Sequence, residues 1–309
     1  MIKRLQNKVA ESRLSLPVTA AGALLLWLLG GIVERQLYVE LTVFALSTYL
    51  MVEFNNSNAL LRVYSRMVSC TFIVVTTMAL PLFNSVAPLA VQLCMIMAYH
   101  ILFKCYQDQR AAGLVFYAFA FIGLASIFFI QVLFLVPWLW ILMGTKLMAL
   151  SRRTFLSSVV GLITPYWFIS SYLIFQGDPL AWSTHLTSIA SFTPWKEAVM
   201  TTDLHLMLIF AFLVITSITG MVHFLRNGYK DKIRTRMLYE MLIVMDMVIT
   251  LFIVAQPQHA FMLMGIKTIS TSVLAAHFIT FTNTRITNVA CCALFLSVIA
   301  ITLYNLWTL

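Results

Sequence analysis

Charge is scarce in this chain, and so is anything that resembles a catalytic signature. Only 10% of the 309 residues are Asp, Glu, Lys or Arg, and 61% are hydrophobic, with a mean hydropathy of +0.92. Ordinary soluble domains carry about 25% charge and about 45–50% apolar residues. No soluble fold of this length has interior enough to hide so much apolar surface, so the bilayer is the expected solvent. No Walker A, G-x-S-x-G, H-E-x-x-H or Rossmann glycine pattern occurs, and no cofactor is implied. Cysteine is sparse as well. Cys70, Cys94, Cys105, Cys291 and Cys292 all lie in or at the end of apolar runs, without metal-site spacing, and read as small buried apolar residues. The six histidines include no i, i+4 pair, so no metal site is expected.

What the chain does have is a series of apolar segments of roughly spanning length. They are Leu16–Val33, Leu37–Val52, Met67–Phe83, Leu89–Phe103, Ala112–Ile130, Val132–Leu150, Phe155–Phe175, Leu206–Leu225, Met237–Ala255, Ala260–Phe281 and Ile286–Leu309. The expected fold is an all-α polytopic transmembrane bundle of eleven spans in a single domain, 1–309. The stretch 112–150 is too long for one helix across a ~30 Å core and must turn near Gln131. The first span follows a basic segment, residues 1–13. Its small residues lie near its start rather than at a cleavage end, so it reads as a retained span. Within 1–13, Ile2, Leu5 and Val9 suit a short helix on the membrane surface.

The formal net charge of +9 does not point to nucleic acid, because the cations sit in short clusters between apolar runs. With the N-terminus in the cytoplasm, every Lys and Arg except Arg35, Lys196 and Lys267 falls on an inner segment. The C-terminus is then outside. Residues 226–236 form a basic cytoplasmic loop facing anionic headgroups. Residues 176–205 form the one long outer loop, with Trp182 and Trp195 suited to the headgroup layer and a short helix over about 194–201 after Thr193-Pro194.

The few charges this topology leaves unexplained are the candidates for function. A charge at mid-span costs about 2.5–3.5 kcal/mol on insertion scales, so such groups are retained for a reason. Glu240 and Asp246 fall in the ninth span, Lys267 and His277 in the tenth. Asp246 lies about ten residues and Lys267 about nine from the turn Gln256-Pro257-Gln258, which at ~1.5 Å per residue places both near the midplane. Glu240 and His277 share a depth near the inner ends of the same helices. A coupled-ion relay or a charged-substrate site is the functional reading, and helix glue is the structural one. The broad polar arc, with Ser270 and Thr271 beside Lys267, leans towards a lined cavity. A second group gathers at the exit of the second span: Glu53, Asn55, Asn56, Asn58, Arg62 and Arg66 form either a capped helix stop or a polar inner mouth. A third lies in the outer loop, where His185, Lys196, Glu197 and His205 offer acid–base chemistry in principle. Pro81, Pro137 and Pro165 kink helices either for packing or to line a cavity.

Asn58-Ala-Leu-Leu-Arg-Val-Tyr-Ser-Arg66, and Gly161-Leu-Ile-Thr-Pro-Tyr166 preceded by Ser151-Arg-Arg, resemble elements of a polytopic membrane-protein family of Bacteroidetes-type bacteria. That resemblance implies a bacterial inner membrane and carries no established activity. Three functions are weighed. The first is transport or handling of a lipid-linked or small polar substrate. The second is a non-catalytic subunit of a cell-envelope complex with other membrane subunits. The third is an enzyme of glycan or lipid assembly using the outer loop, which lacks the arginines that glycan polymerases place there.

Overall fold

Each of the eleven apolar segments is helical over most of its described residues. The structure, a computed structural model, describes residues 5–79, 85–176, 180–200, 202–282 and 284–308. Pro81 and Asp178 fall outside these, as does the side chain of Trp182. The helices are α1 (Leu5–Glu11), α2 (Ser15–Leu29), α3 (Tyr38–Asn58), α4 (Met67–Met78), α5 (Val86–Lys104), α6 (Ala112–Phe128) and α7 (Val136–Thr145). They continue with α8 (Arg152–Gln176), α9 (Leu180–Thr187), α10 (Trp195–Met200), α11 (Leu204–Asn227), α12 (Ile233–Ala255), α13 (Ala260–Phe281) and α14 (Arg285–Thr308). No strand occurs among the described residues. In a solvent without hydrogen-bond partners only closed backbone bonding can cross, which is what a helix supplies.

Six helices, α5, α8, α11, α12, α13 and α14, are long and apolar enough to cross a membrane. α2, α4, α6 and the stretch Ile130–Thr145 are apolar but shorter. α3 has 21 residues, diluted by Glu40, Glu53 and its terminal asparagines. It stops at Ala59, which takes a left-handed φ of 47° and returns its N–H to the Asn55 carbonyl. Between α6 and α7 the helix is interrupted at extended Phe129, and a 3-10 turn over Ile130–Leu135 follows. Trp140 of α7 then stacks at 6.5 Å on Phe119 of α6, so the chain reverses around Gln131.

α13 is the centre. α4, α5, α11 and α12 pack around it, and α1 docks at its far end. α1 does more than lie on a surface, because the Asn7 amide donates to the Thr280 carbonyl at 2.8 Å and the Gln6 amide to the Thr282 hydroxyl at 2.6 Å. Close approach elsewhere rests on small residues. A Cβ on Gly123 would sit 2.6 Å from the Leu162 carbonyl and 3.1 Å from Pro165. A Cβ on Gly161 would collide with the Phe116 carbonyl. Gly161 and Pro165 therefore serve the α6–α8 contact, where Ser126 and Tyr166 also share a hydrogen bond of 2.5 Å. Small residues at helix crossings are the usual device where lipid removes the hydrophobic drive to associate.

The segment before α11 lies across the turns at one end of the bundle. The Gln131 amide donates to the Ser188 carbonyl, Trp195 Nε1 to the Val254 carbonyl and the Gln258 amide to the Ser191 carbonyl. The short helix expected near 194–201 is α10. The Thr193 hydroxyl just before it donates to the Gln258 side chain.

Candidate functional site

Asp246 and Lys267 meet. Lys267 Nζ lies 2.8 Å from Asp246 Oδ2, with side-chain exposures of 0% and 2%. The ammonium also donates to Thr250 Oγ1 at 2.7 Å and to Ser217 Oγ at 3.4 Å, so each of its three hydrogens has an acceptor. The other carboxylate oxygen accepts from Ser270 at 2.7 Å and Thr271 at 3.4 Å. The polar ring thus draws on α11, α12 and α13. Gln92 of α5 makes a separate polar contact with α13, donating to Thr268 Oγ1 at 2.6 Å and to the Gly265 carbonyl at 3.1 Å. The Coulomb attraction and hydrogen bonds offset part of the cost of taking two charges out of water, and removal of either partner would strand the other.

Glu240 and His277 do not join that ring, nor each other. Glu240 forms an ion pair with Lys146 at the end of α7, and both side chains are about one-third exposed at 33% and 31%. His277, wholly buried, places Nε2 3.2 Å from Asp231 Oδ2 and Nδ1 3.2 Å from Nδ1 of His223. Arg62 Nη1 approaches Asp231 Oδ1 at 3.7 Å, and its guanidinium lies 4.1 Å over the Phe281 ring. Asp246 and Glu240 therefore face different neighbours, and the polar arc on α12 serves two separate contacts rather than one cavity wall.

The group at the end of α3 divides. Asn55 donates to the Ser65 carbonyl at 2.9 Å, and Asn58 accepts from Arg234 of α12 at 3.3 Å. Glu53 and Asn56 are exposed, Arg66 is half-buried, and Arg62 belongs to the His277 cluster. The outer-loop candidates also go to different elements. His205 pairs with Asn305 of α14 at 3.0 Å and stacks on Tyr304, His185 lies against Tyr166 of α8, and Lys196 and Glu197 are exposed on α10.

Asp231 and His223 are the residues the sequence reasoning did not single out as a site. Asp231 is the one acid in the basic run 226–236, which is the signal that could have marked it. Among the described residues no group of three or more His, Cys, Asp and Glu is placed to hold a metal ion. The geometry of His277 shows why, since its two nitrogens face opposite ways and its two partners cannot converge. Four cysteines are buried, and Cys292 is exposed on α14, which corrects the expectation for that one. At the end of α5, burial, aided by the Asp108 carboxylate, pushes the Cys105 thiol up to about 12.

Beside α13 lies an apolar cavity of about 380 Å³ between α2, α4, α11, α13 and α14. Cys70, Thr71, Thr216, Ala275, Cys291 and Leu294 are among its walls, and no charged side chain lines it. Its volume falls within the ~300–1,000 Å³ of small-molecule sites. The Thr216 hydroxyl is buried without a hydrogen-bond partner, one residue from the Ser217 that reaches Lys267. No family model, curated protein or solved structure matches this chain.

Proposed function

We propose that this chain is a multi-pass protein of a bacterial inner membrane that moves or handles a lipid-linked or small polar substrate, with Asp246 and Lys267 as its intramembrane polar site. In this reading all eleven apolar helical stretches cross the bilayer, with the N-terminus in the cytoplasm and the C-terminus outside. The distribution of lysine and arginine supports it. The observation that carries the functional reading is the charge pair buried between α12 and α13, the latter the most enclosed of the candidate spans. Charges at that depth are costly, and their usual reason is an ion or substrate pathway. The apolar cavity one residue from the Lys267 ring favours the lipid-linked arm, since a hydrocarbon tail fits uncharged walls.

A specific observation favours the structural-subunit reading too: every hydrogen of Lys267 is already satisfied, as helix glue requires. Asp246→Asn, Lys267→Met and the double variant separate the two, with protein level and cellular phenotype measured together. The expected result is lost function in all three, with protein level lowered in the singles, where one charge is stranded, and normal in the double. Recovery of function together with protein level in the double would make the pair structural and sink the proposal. Stoichiometric co-purification of other membrane proteins would favour the subunit. The enzyme reading has the least support, because His185 is turned to Tyr166 of α8 and His205 to Asn305 of α14, whereas Lys196 and Glu197 are exposed on α10.

A further inference from the structure

The apolar cavity beside α13 is built against one end of the bundle. Val9 and Ser12, on α1 and in the turn after it, line its mouth together with Leu14 at the start of α2. From there it follows α4 from Met67 to Val75, and its deeper walls include Ala275 of α13 and Val298 of α14. In the orientation proposed above, the mouth lies on the cytoplasmic side. At ~1.5 Å per residue, Met67 to Val75 is about 12 Å, most of one leaflet of a ~30 Å hydrocarbon core.

The cavity opens sideways to lipid. Leu14, Val18 and Phe295 each line it and are also exposed on the outside of the bundle, so α2 and α14, which both pack on α4, leave a slot between them. The hydroxyls among its walls are spent on the backbone. Ser15 donates to the Ser12 carbonyl, Thr19 to those of Ser15 and Leu16, and Thr71 to those of Met67, Val68 and Ser272. The unpartnered Thr216 oxygen is itself buried. What remains is a hydrocarbon surface. Lipid surroundings give no hydrophobic reward for filling such a slot, but an empty one forfeits dispersion contacts that an aliphatic chain restores.

The mouth is cationic. Lys8 and Arg13 flank the wall residues Val9, Ser12 and Leu14, and Arg66 directly precedes Met67. Among the described residues no carboxylate forms an ion pair with any of these three cations. Glu11 is the one acid on α1. The cations are held in place because α1 is docked. Gln6 and Asn7 donate to the end of α13, and the Ser65 hydroxyl before α4 donates to the Ala10 carbonyl.

We propose that this cavity binds one acyl chain of an anionic phospholipid of the cytoplasmic leaflet, with the lipid phosphate beside Lys8, Arg13 and Arg66. The site rests on the lipid arm of the function above and on its orientation, and it narrows the substrate class to a lipid that enters sideways between α2 and α14. A cavity confined to one leaflet suits an acyl chain, which ends near the midplane, and not a polyprenyl chain several times longer.

Full-length protein is reconstituted in phosphatidylcholine vesicles containing a small fraction of phosphatidylglycerol with a diazirine in the middle of one acyl chain. After illumination, mass spectrometry of the peptides locates the label. The same diazirine chain on phosphatidylcholine is the headgroup control. The expected result is labelling concentrated on the cavity walls of α4, α13 and α14, weak on lipid-exposed α8, and stronger for phosphatidylglycerol. Leu294→Trp and Val298→Trp fill the cavity from half-buried positions of α14 and are expected to remove it. Leu296→Trp, on the open face of the same helix, is expected to leave it unchanged. Replacing Lys8, Arg13 and Arg66 with Gln is expected to lower phosphatidylglycerol labelling by up to about fivefold per charge, without effect on the phosphatidylcholine control. Equal labelling by the two lipids, even labelling over α8 and α14, or labelling that survives the cavity-filling variants overturns the assignment. Should the tryptophan variants fail to accumulate, the comparison of headgroups in the unaltered protein decides alone. The Asp246→Asn, Lys267→Met double variant is expected to label normally, since neither residue lines the cavity. Absent labelling with the polar pair still essential sinks this site and leaves the function standing; intact labelling with a functional double variant does the reverse.

Discussion

α13 and α14 are consecutive helices of 22 and 24 residues with opposite surroundings. Of the spanning stretch of α13, 89% is buried, against 11% for α14, yet α14 is the more apolar of the two. In water the order would be reversed, because burial would reward the apolar helix. Here lipid is as good a neighbour for leucine as leucine is, and association rests on close packing and hydrogen bonds. The helix with Lys267, Thr268, Ser270, Thr271 and His277 therefore goes to the middle, where partners exist. α14 stays at the edge, held at its end by Asn305, which donates to the Met78 carbonyl at 2.9 Å and pairs with His205.

That contrast can be broken by substitution. Lys267→Met removes one half of a buried pair and is expected to cost about 3–5 kcal/mol. Thermal unfolding in detergent checks it, and an unchanged midpoint would show that the pair holds nothing. Gly220→Ala places a Cβ 2.7 Å from the backbone of Leu274 in α13 and is expected to cost about 1–3 kcal/mol. Gly22→Ala in α2 meets nothing within 4 Å and serves as its control in the same unfolding assay. Glu240→Gln breaks a pair that is one-third exposed, so the loss is about 0–1 kcal/mol. A larger loss would mean that the α7–α12 contact carries more than its exposure implies. Leu296→Ala on the open face of α14 is expected to stay within about 0.5 kcal/mol. A marked drop there would show that another chain covers α14.

The helical segments were legible because hydropathy is a sum over many residues, and single exceptions such as Glu40 do not erase it. The Asp246–Lys267 pair was legible because depth follows from counting residues back from a turn at ~1.5 Å each. Depth also puts Glu240 level with His277, but a shared depth does not make two side chains partners. Which way a side chain points around the helix depends on how the neighbours are packed, and packing turned Glu240 to Lys146 and His277 to Asp231. Asp231 was hidden for another reason. It sits among cations whose bulk effect on orientation masks the single acid, and only the fold brings that turn against α13.

The central place of α13 also sets a schedule for making the protein. The Thr71 hydroxyl donates to the Ser272 carbonyl 201 residues later in the chain, the Gln92 amide to Thr268 176 residues later, and the Asn7 amide to Thr280 273 residues later. At ~5–20 residues per second, the Gln92 amide of α5 waits roughly 9–35 s before the stretch of chain that satisfies it leaves the ribosome, while the Thr71 hydroxyl donates meanwhile to the Met67 and Val68 carbonyls of its own helix. A ribosome that stops short of residue 260 releases a product in which the Asn7 and Gln92 amides lack their α13 partners. The last third of the gene thus decides whether the first third is kept.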